Sequence, residues 1–292
     1  IMELVFSNGM DNGVQVGPKT GEVTEFTTYE EFFTAYKRQM SYAIRLMVNA
    51  DNAIDVAHAK RCPLPFLSSM IEDCIGKGKS VQEGGAVYNF TGPQGFGIAN
   101  MADACYAIKK LVFEEKKFTL ADFKEAMDNN FGEGISDADA TKITTEIVRQ
   151  LVSGGMNVTD EQIAEIFKKA KGSGNGKYAA LLEAIDSLPK FGNDIMDVDM
   201  IAREVAYTYT KPLEKFKNPR GGMYHAGLYP VSANVPLGAQ TGATPDGRRA
   251  YTPVADGVSP VAGRDVMGPT ASANSVSRLD HFIASNGTLF NM

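Results

Sequence analysis

Three cysteines, three histidines and a scatter of aspartates are the groups in this chain that could do acid-base, nucleophilic or metal chemistry. Their spacing argues against most of it. Cys62, Cys74 and Cys105 have no metal-type spacing. Cys62 precedes Leu-Pro in a helix-breaking stretch, and Cys74 and Cys105 sit in helical patterns, so each reads as a small buried hydrophobe rather than a nucleophile. Asp51, Asp55 and His58 recur at i, i+4 and i+7, so one helix face presents three possible ligands. Without a second His or Cys cluster nearby, an ion-paired or solvated face is the better reading. His225 and His281 are isolated, and no Ser/His/Asp order emerges. Gly76-Lys-Gly-Lys-Ser80 imitates a phosphate loop, but Asp73 stands where its first glycine belongs.

The elements that must position any site are read from periodicity. Thr28 with Glu31 makes a capping box ahead of Phe33, Tyr36, Met40, Ile44 and Met47, which predicts a long helix toward His58, stopped by Pro63 and Pro65. A second helix is expected over 64–75, ended by Gly76. A third is expected over 101–114 with Asn100 as N-cap, and Thr119 with Asp122 starts another. Between 133 and 188 the texture changes to short capped helices, with Ser136/Asp139 and Thr159/Gln162 as caps and Gly154-Gly155 and Gly172 to Gly176 as separators. This segment reads as a peripheral helical hairpin plus one helix. Further helices are expected over 197–210, ended by Lys211-Pro212, and over 272–281. Strands are expected at 86–90, 228–233 and 287–291. Long helices followed by strands and ordered loops indicate an α/β or α+β core with helices outside.

Composition sets the outer limits. The chain has 292 residues, 43% of them apolar, which suits a packed core. A net charge of -6 with scattered basic residues argues against nucleic acid as a partner. No apolar run is long enough to span a bilayer, and the N-terminus lacks the pattern of a signal peptide. The odd cysteine count suits reduced thiols in a cytoplasm. Both ends fall in apolar stretches, Ile1 to Phe6 and Leu289 to Met292, so the sequence reads as a segment of a longer polypeptide.

Two glycine-dense stretches resist a bland reading: Gly84-Gly-Ala-Val-Tyr-Asn-Phe-Thr-Gly-Pro-Gln-Gly-Phe-Gly97, and Asn218-Pro-Arg-Gly-Gly222 through Gly247-Arg-Arg249. Such density lets backbones approach closely, either to stitch turns or to build a site. With Pro63-Leu-Pro-Phe-Leu-Ser-Ser69, Lys190-Phe-Gly-Asn-Asp194, Gly227-Leu-Tyr-Pro-Val-Ser-Ala-Asn-Val235, Thr241-Gly-Ala-Thr-Pro-Asp-Gly-Arg248, Ala255-Asp-Gly-Val-Ser-Pro260 and Leu279 to Asn291, these form an ordered series. The series resembles the glycyl radical enzymes related to pyruvate formate-lyase, in the glycerol/propanediol dehydratase and choline trimethylamine-lyase branch.

The resemblance implies an α/β fold in which residues 1–292 form a segment of a ten-stranded α/β barrel with outer helices and a dry interior site. It implies a lyase or dehydratase that breaks a C–O or C–N bond in a small hydroxylated substrate of diol or choline type by thiyl-radical hydrogen abstraction. A radical S-adenosylmethionine iron–sulfur activase, as partner, installs the glycyl radical after translation. The thiyl cysteine, its glutamate and the radical glycine belong to loops not found in this sequence, so no catalytic residue, cofactor or metal is expected within it. Tyr229, in Gly-Leu-Tyr-Pro, inherits a place in the substrate pocket, and Ser232 is a second candidate. Val231 replaces a serine associated with glycerol dehydratases. The resemblance also implies a homodimer in the cytoplasm, free or in a microcompartment. The length of 133–188 keeps arylacetate decarboxylation as an alternative activity, and a non-catalytic structural fragment is an alternative of another class.

Overall fold

The computed structural model describes residues 1–132, 137–153, 158–171 and 176–292. After a short helix α1 (Met2–Phe6), the one regular ladder among the described residues is a two-residue hairpin, β1 (Met10–Asp11) against β2 (Val14–Gln15). Helix α2 (Tyr29–Arg61) is unbroken, about 50 Å long at 1.5 Å per residue. Its capping box forms as expected: Glu31 N donates to Thr28 Oγ1 and Thr28 N to Glu31 Oε2, both at 3.2 Å. Its buried stripe carries Phe32, Phe33, Tyr36, Ile44 and Val48. The rings of Tyr29, Phe33 and Tyr36 stack in sequence along it.

Several boundaries differ from expectation, each for a local reason. The helix expected over 64–75 is two pieces, α3 (Pro65–Met70) and α4 (Cys74–Lys77), because Asp73 adopts φ 75° between them. Gly76 lies inside α4, and Gly78 is the left-handed cap. Helix α5 (Ile98–Ile108) starts from Gly97, at φ 74°, rather than from Asn100. Asn100 is drawn into the core instead, where it bonds Asp246 and the Ala255 amide. Beyond α5 the chain continues as a π-helical turn, Lys109–Glu114. Helix α6 (Leu120–Asp128) has the full Thr119–Asp122 box. Thr119→Ala is expected to lower stability by about 1 kcal/mol in urea titration; an unchanged midpoint would refute the cap.

Helices α7 (Asp137–Ser153) and α8 (Asp160–Lys171) pack on each other, and α9 (Ala179–Ser187) follows. The Thr159–Gln162 cap is present. The expected cap at Ser136 and the separators at Gly154-Gly155 and 172–175 lie outside the described residues. Helix α10 (Met196–Leu213) takes Pro212 into its last turn, where only one helical bond is lost. It packs on α2 and on α5, whose alanines at 99, 102, 104 and 107 are all buried and permit close approach. Two short helices, α11 (Asn234–Gly238) and α12 (Pro269–Ser277), complete the chain.

The strands expected at 86–90, 228–233 and 287–291 are not regular. Residues 86–90 make no bridge. Leu228 bridges Thr288, but Pro230 has no N–H to donate, and the chain turns at Val231 into α11. In their place, extended segments run parallel in register: Thr91 beside Tyr224, Gln94 beside Gly227, and Leu228 beside Thr288. Val258 N to Leu289 O at 2.9 Å adds a fourth segment. The chain is therefore mostly helical, with a few parallel extended segments. The ten-stranded barrel is not seen in these residues.

Candidate active-site wall

The two glycine-dense stretches pack against each other. A Cβ on Gly222 would stand 2.0 Å from Asn89 O, and one on Gly84 2.4 Å from Arg220 O, so both positions must stay bare. Asn218 locks the crossing. Its Oδ1 accepts from the amides of Arg220 (3.1 Å) and Gly222 (2.9 Å), and its Nδ2 donates to Asn89 O (2.6 Å) and Thr91 Oγ1 (2.9 Å). Arg220 ties the same segment to α2. Its Nε meets Asp55 at 3.0 Å, and its Nη2 donates to Phe90 O and Thr91 Oγ1. Asp55 is thus an ion-pair partner, and burial followed by repulsion from Asp55 raises the pKa of Asp51. This supports the ion-paired reading of the 51/55/58 face.

Alternation along 224–229 separates two faces. Tyr224, Ala226 and Leu228 are buried toward the helices, with the Tyr224 hydroxyl on Val48 O and Asn52 Oδ1. His225, Gly227 and Tyr229 therefore lie on the face opposite the helices. His225 Nδ1 lies 2.7 Å from Ser285 Oγ, and its ring meets the edge of Phe90. Tyr229 is half-buried, with its ring 3.6 Å from where a Cβ on Gly287 would lie. Ser232 is exposed in the turn after Pro230. Between them Val231 adopts φ 57° and is 79% exposed. A β-branched residue in the left-handed region is strained, a condition that concentrates at functional sites. The sequence reading missed His225, Ser285, Gln94 and Asn286 on this wall. Parity with Tyr229 was the available signal for His225.

A buried ionic cluster fastens the wall to α5. Arg264 Nη1 lies 3.1 Å from Asp246 Oδ2 and 3.4 Å from Asp103 Oδ2, both carboxylates being almost wholly buried. Asp246 also accepts from Asn100 and Thr244. Burial pushes the Asp103 carboxyl up to about 7; the Phe191 amide, at 2.8 Å, opposes the shift and the neighbouring Asp246 adds to it. Cys74 and Cys105 are buried, and burial raises the Cys105 thiol to about 12, far from a reactive thiolate. Cys62 is exposed at the end of α2, contrary to the buried expectation, because Pro63 turns the chain outward there. No described helix is long and apolar enough to cross a membrane.

Parallel extended segments packed on helices are shared with solved structures that include a glycyl radical enzyme from Archaeoglobus fulgidus, 30% identical with a TM-score of 0.77, covering 98% of this chain and 31% of that one. One, described by 1,2-propanediol dehydration in Roseburia inulinivorans, is 59% identical with a TM-score of 0.88, covering 100% of this chain and 35% of that one. Another, the glycerol-bound B12-independent glycerol dehydratase from Clostridium butyricum, is 47% identical with a TM-score of 0.83, covering 100% and 31%. Among curated relatives, (2S)-3-sulfopropanediol dehydratase from Klebsiella oxytoca is 32% identical over 298 residues, 100% of this chain and 31% of its own length. The 4-hydroxyphenylacetate decarboxylase glycyl radical subunit from Clostridioides difficile is 30% identical over 296 residues, 99% of this chain and 30% of its own length. The chain spans about a third of the length of these proteins. The pyruvate formate lyase-like family model matches residues 1–238, and the glycine radical family model matches 254–292. The chain belongs to the pyruvate formate lyase-like family.

Proposed function

We propose that this chain forms part of the substrate-pocket wall of a glycyl radical dehydratase acting on a small vicinal diol such as 1,2-propanediol or glycerol. The observation that carries this reading is the 59% identity and TM-score of 0.88, over the whole chain, with the structure described by propanediol dehydration. Tyr229 orients a substrate hydroxyl through its own, and Ser232 is a second contact from the following turn. Val231 brings methyl groups to the same turn and favours an apolar substrate terminus over a hydroxymethyl one. In the full-length enzyme the closed site excludes water from this wall, which a carbon radical requires. The thiyl cysteine, the glutamate and the radical glycine come from loops outside residues 1–292. A radical S-adenosylmethionine activase, a homodimeric assembly, a cytoplasmic setting and a peripheral placing of 133–188 belong to the same proposal.

The test is anaerobic activation of the full-length enzyme by its activase, followed by assay of aldehyde from either diol. Turnover of 4-hydroxyphenylacetate with no diol turnover would replace the dehydratase reading by the decarboxylase one. Within the diol reading, Tyr229→Phe is expected to raise KM about tenfold, the equivalent of about 1.4 kcal/mol for one lost hydrogen bond. An unchanged KM would remove Tyr229 from the pocket.

A further inference from the structure

The same wall holds a level at which two adjacent segments are bare. A Cβ on Gly92 would stand 2.1 Å from Asn286 Nδ2, and one on Gly227 2.0 Å from Gln94 Oε1. These differ from the backbone collisions at Gly84 and Gly222, because each glycine here makes room for a side-chain carboxamide. Both carboxamides are anchored on one atom: Gln94 Nε2 donates to Gly92 O at 2.7 Å, and Asn286 Nδ2 donates to it at 3.2 Å. With both nitrogens so engaged, the oxygens are left as acceptors. Gln94 Oε1 is shielded from water and has no donor. A buried acceptor without a partner is unfavourable, so the site calls for a donor. Gln94 is level with Gly227, two residues and about 7 Å along the strand from Tyr229.

We infer that Gln94 and Asn286 form a carboxamide floor beside Tyr229 that accepts hydrogen bonds from the hydroxyls of a bound polyol and determines selectivity for hydroxyl-bearing substrates. The inference rests on the diol reading and deepens it. A hydroxyl supplies the missing donor, whereas a carboxylate would set acceptor against acceptor. A site built around an orphan acceptor discriminates strongly against ligands that bring no donor. Oε1 is sealed without ligand, so binding turns the carboxamide about its terminal torsion, whose minimum is broad, and loosens its bond to Gly92 O.

The experiment uses the full-length enzyme without activation, so that no radical chemistry enters. Its melting temperature is followed against 1,2-propanediol concentration for wild type and Gln94→Met. Wild type is expected to be stabilised by the diol, and the variant to need about tenfold more diol for half the effect. Asn286→Leu, on the other segment, is expected to do the same and serves if Gln94→Met fails to fold. A wild type that responds, with variants of lower melting temperature but unchanged half-saturation, makes the carboxamides a structural brace and overturns the inference alone. A wild type indifferent to both propanediol and glycerol overturns the diol reading and this inference together.

Discussion

Gly222→Ala is expected to destabilise the protein by about 3 kcal/mol, at the upper end of what overpacking usually costs. The new Cβ would sit 2.0 Å from Asn89 O and 2.4 Å from Asn89 C, and these are backbone atoms that no rotamer change can move aside. Relief requires the two segments to part, which strains the two bonds that Asn218 makes across them, to Asn89 O and Thr91 Oγ1, and the Arg220 contacts to Phe90 and Thr91. Gly76→Ala is the control. It lies inside α4, its nearest neighbour to a new Cβ is at 3.4 Å, and its φ is not positive. That substitution is expected to be neutral or to stabilise by about 0.5 kcal/mol. Similar urea midpoints for the two variants would show that the glycine crossing is not tight.

The second large effect is on pH dependence. Burial raises the Asp103 carboxyl from the ordinary 3.8 to about 7 in the folded chain, so the native state binds the proton more tightly than the unfolded chain. A raised carboxyl makes stability fall as pH rises from about 4 to about 7, after which the contribution levels off. Burial is the main cause of the rise; the Phe191 amide, Arg264 and Lys190 oppose it, and the neighbouring Asp246 adds to it. Lys190, itself lowered by burial, bonds the carbonyls of Ile185 and Leu188. Asp103→Asn keeps an acceptor for Phe191 N and removes the charge. Wild type is expected to lose on the order of a few kcal/mol between pH 5 and 8, and the variant much less. Parallel curves for the two proteins would show that Asp103 does not titrate in this range.

What the sequence made legible was local. The caps at Thr28 and Thr119 lie three residues from their partners, and both form. Asn100 looked like a cap by the same local rule, but its side chain is claimed by Asp246, 146 residues away, and Gly97 starts the helix instead. The strand expected at 228–233 stops early because Pro230 cannot donate and Val231 turns left-handed. The family was legible because its motifs are the glycine crossings themselves. Tyr229, proposed as a pocket residue, stands out by its Gly-Leu-Tyr-Pro motif. Gln94 and Asn286 could not be paired, because the carbonyl that joins them is 194 residues from Asn286.

The parallel wall also bears on how the chain reaches its native state. Asn218 finds Thr91 across 127 residues, and Asn286 finds Gly92 across 194. Closing such loops costs entropy before any of these bonds can form, whereas the helical turns assemble from neighbours. The wall is therefore expected to close after the helices form. Until it closes, Phe90 and Tyr88 on one segment and Phe282 near another, all exposed even in the native chain, sit on segments without partners. Productive folding then competes with association between chains, and its yield falls as protein concentration rises.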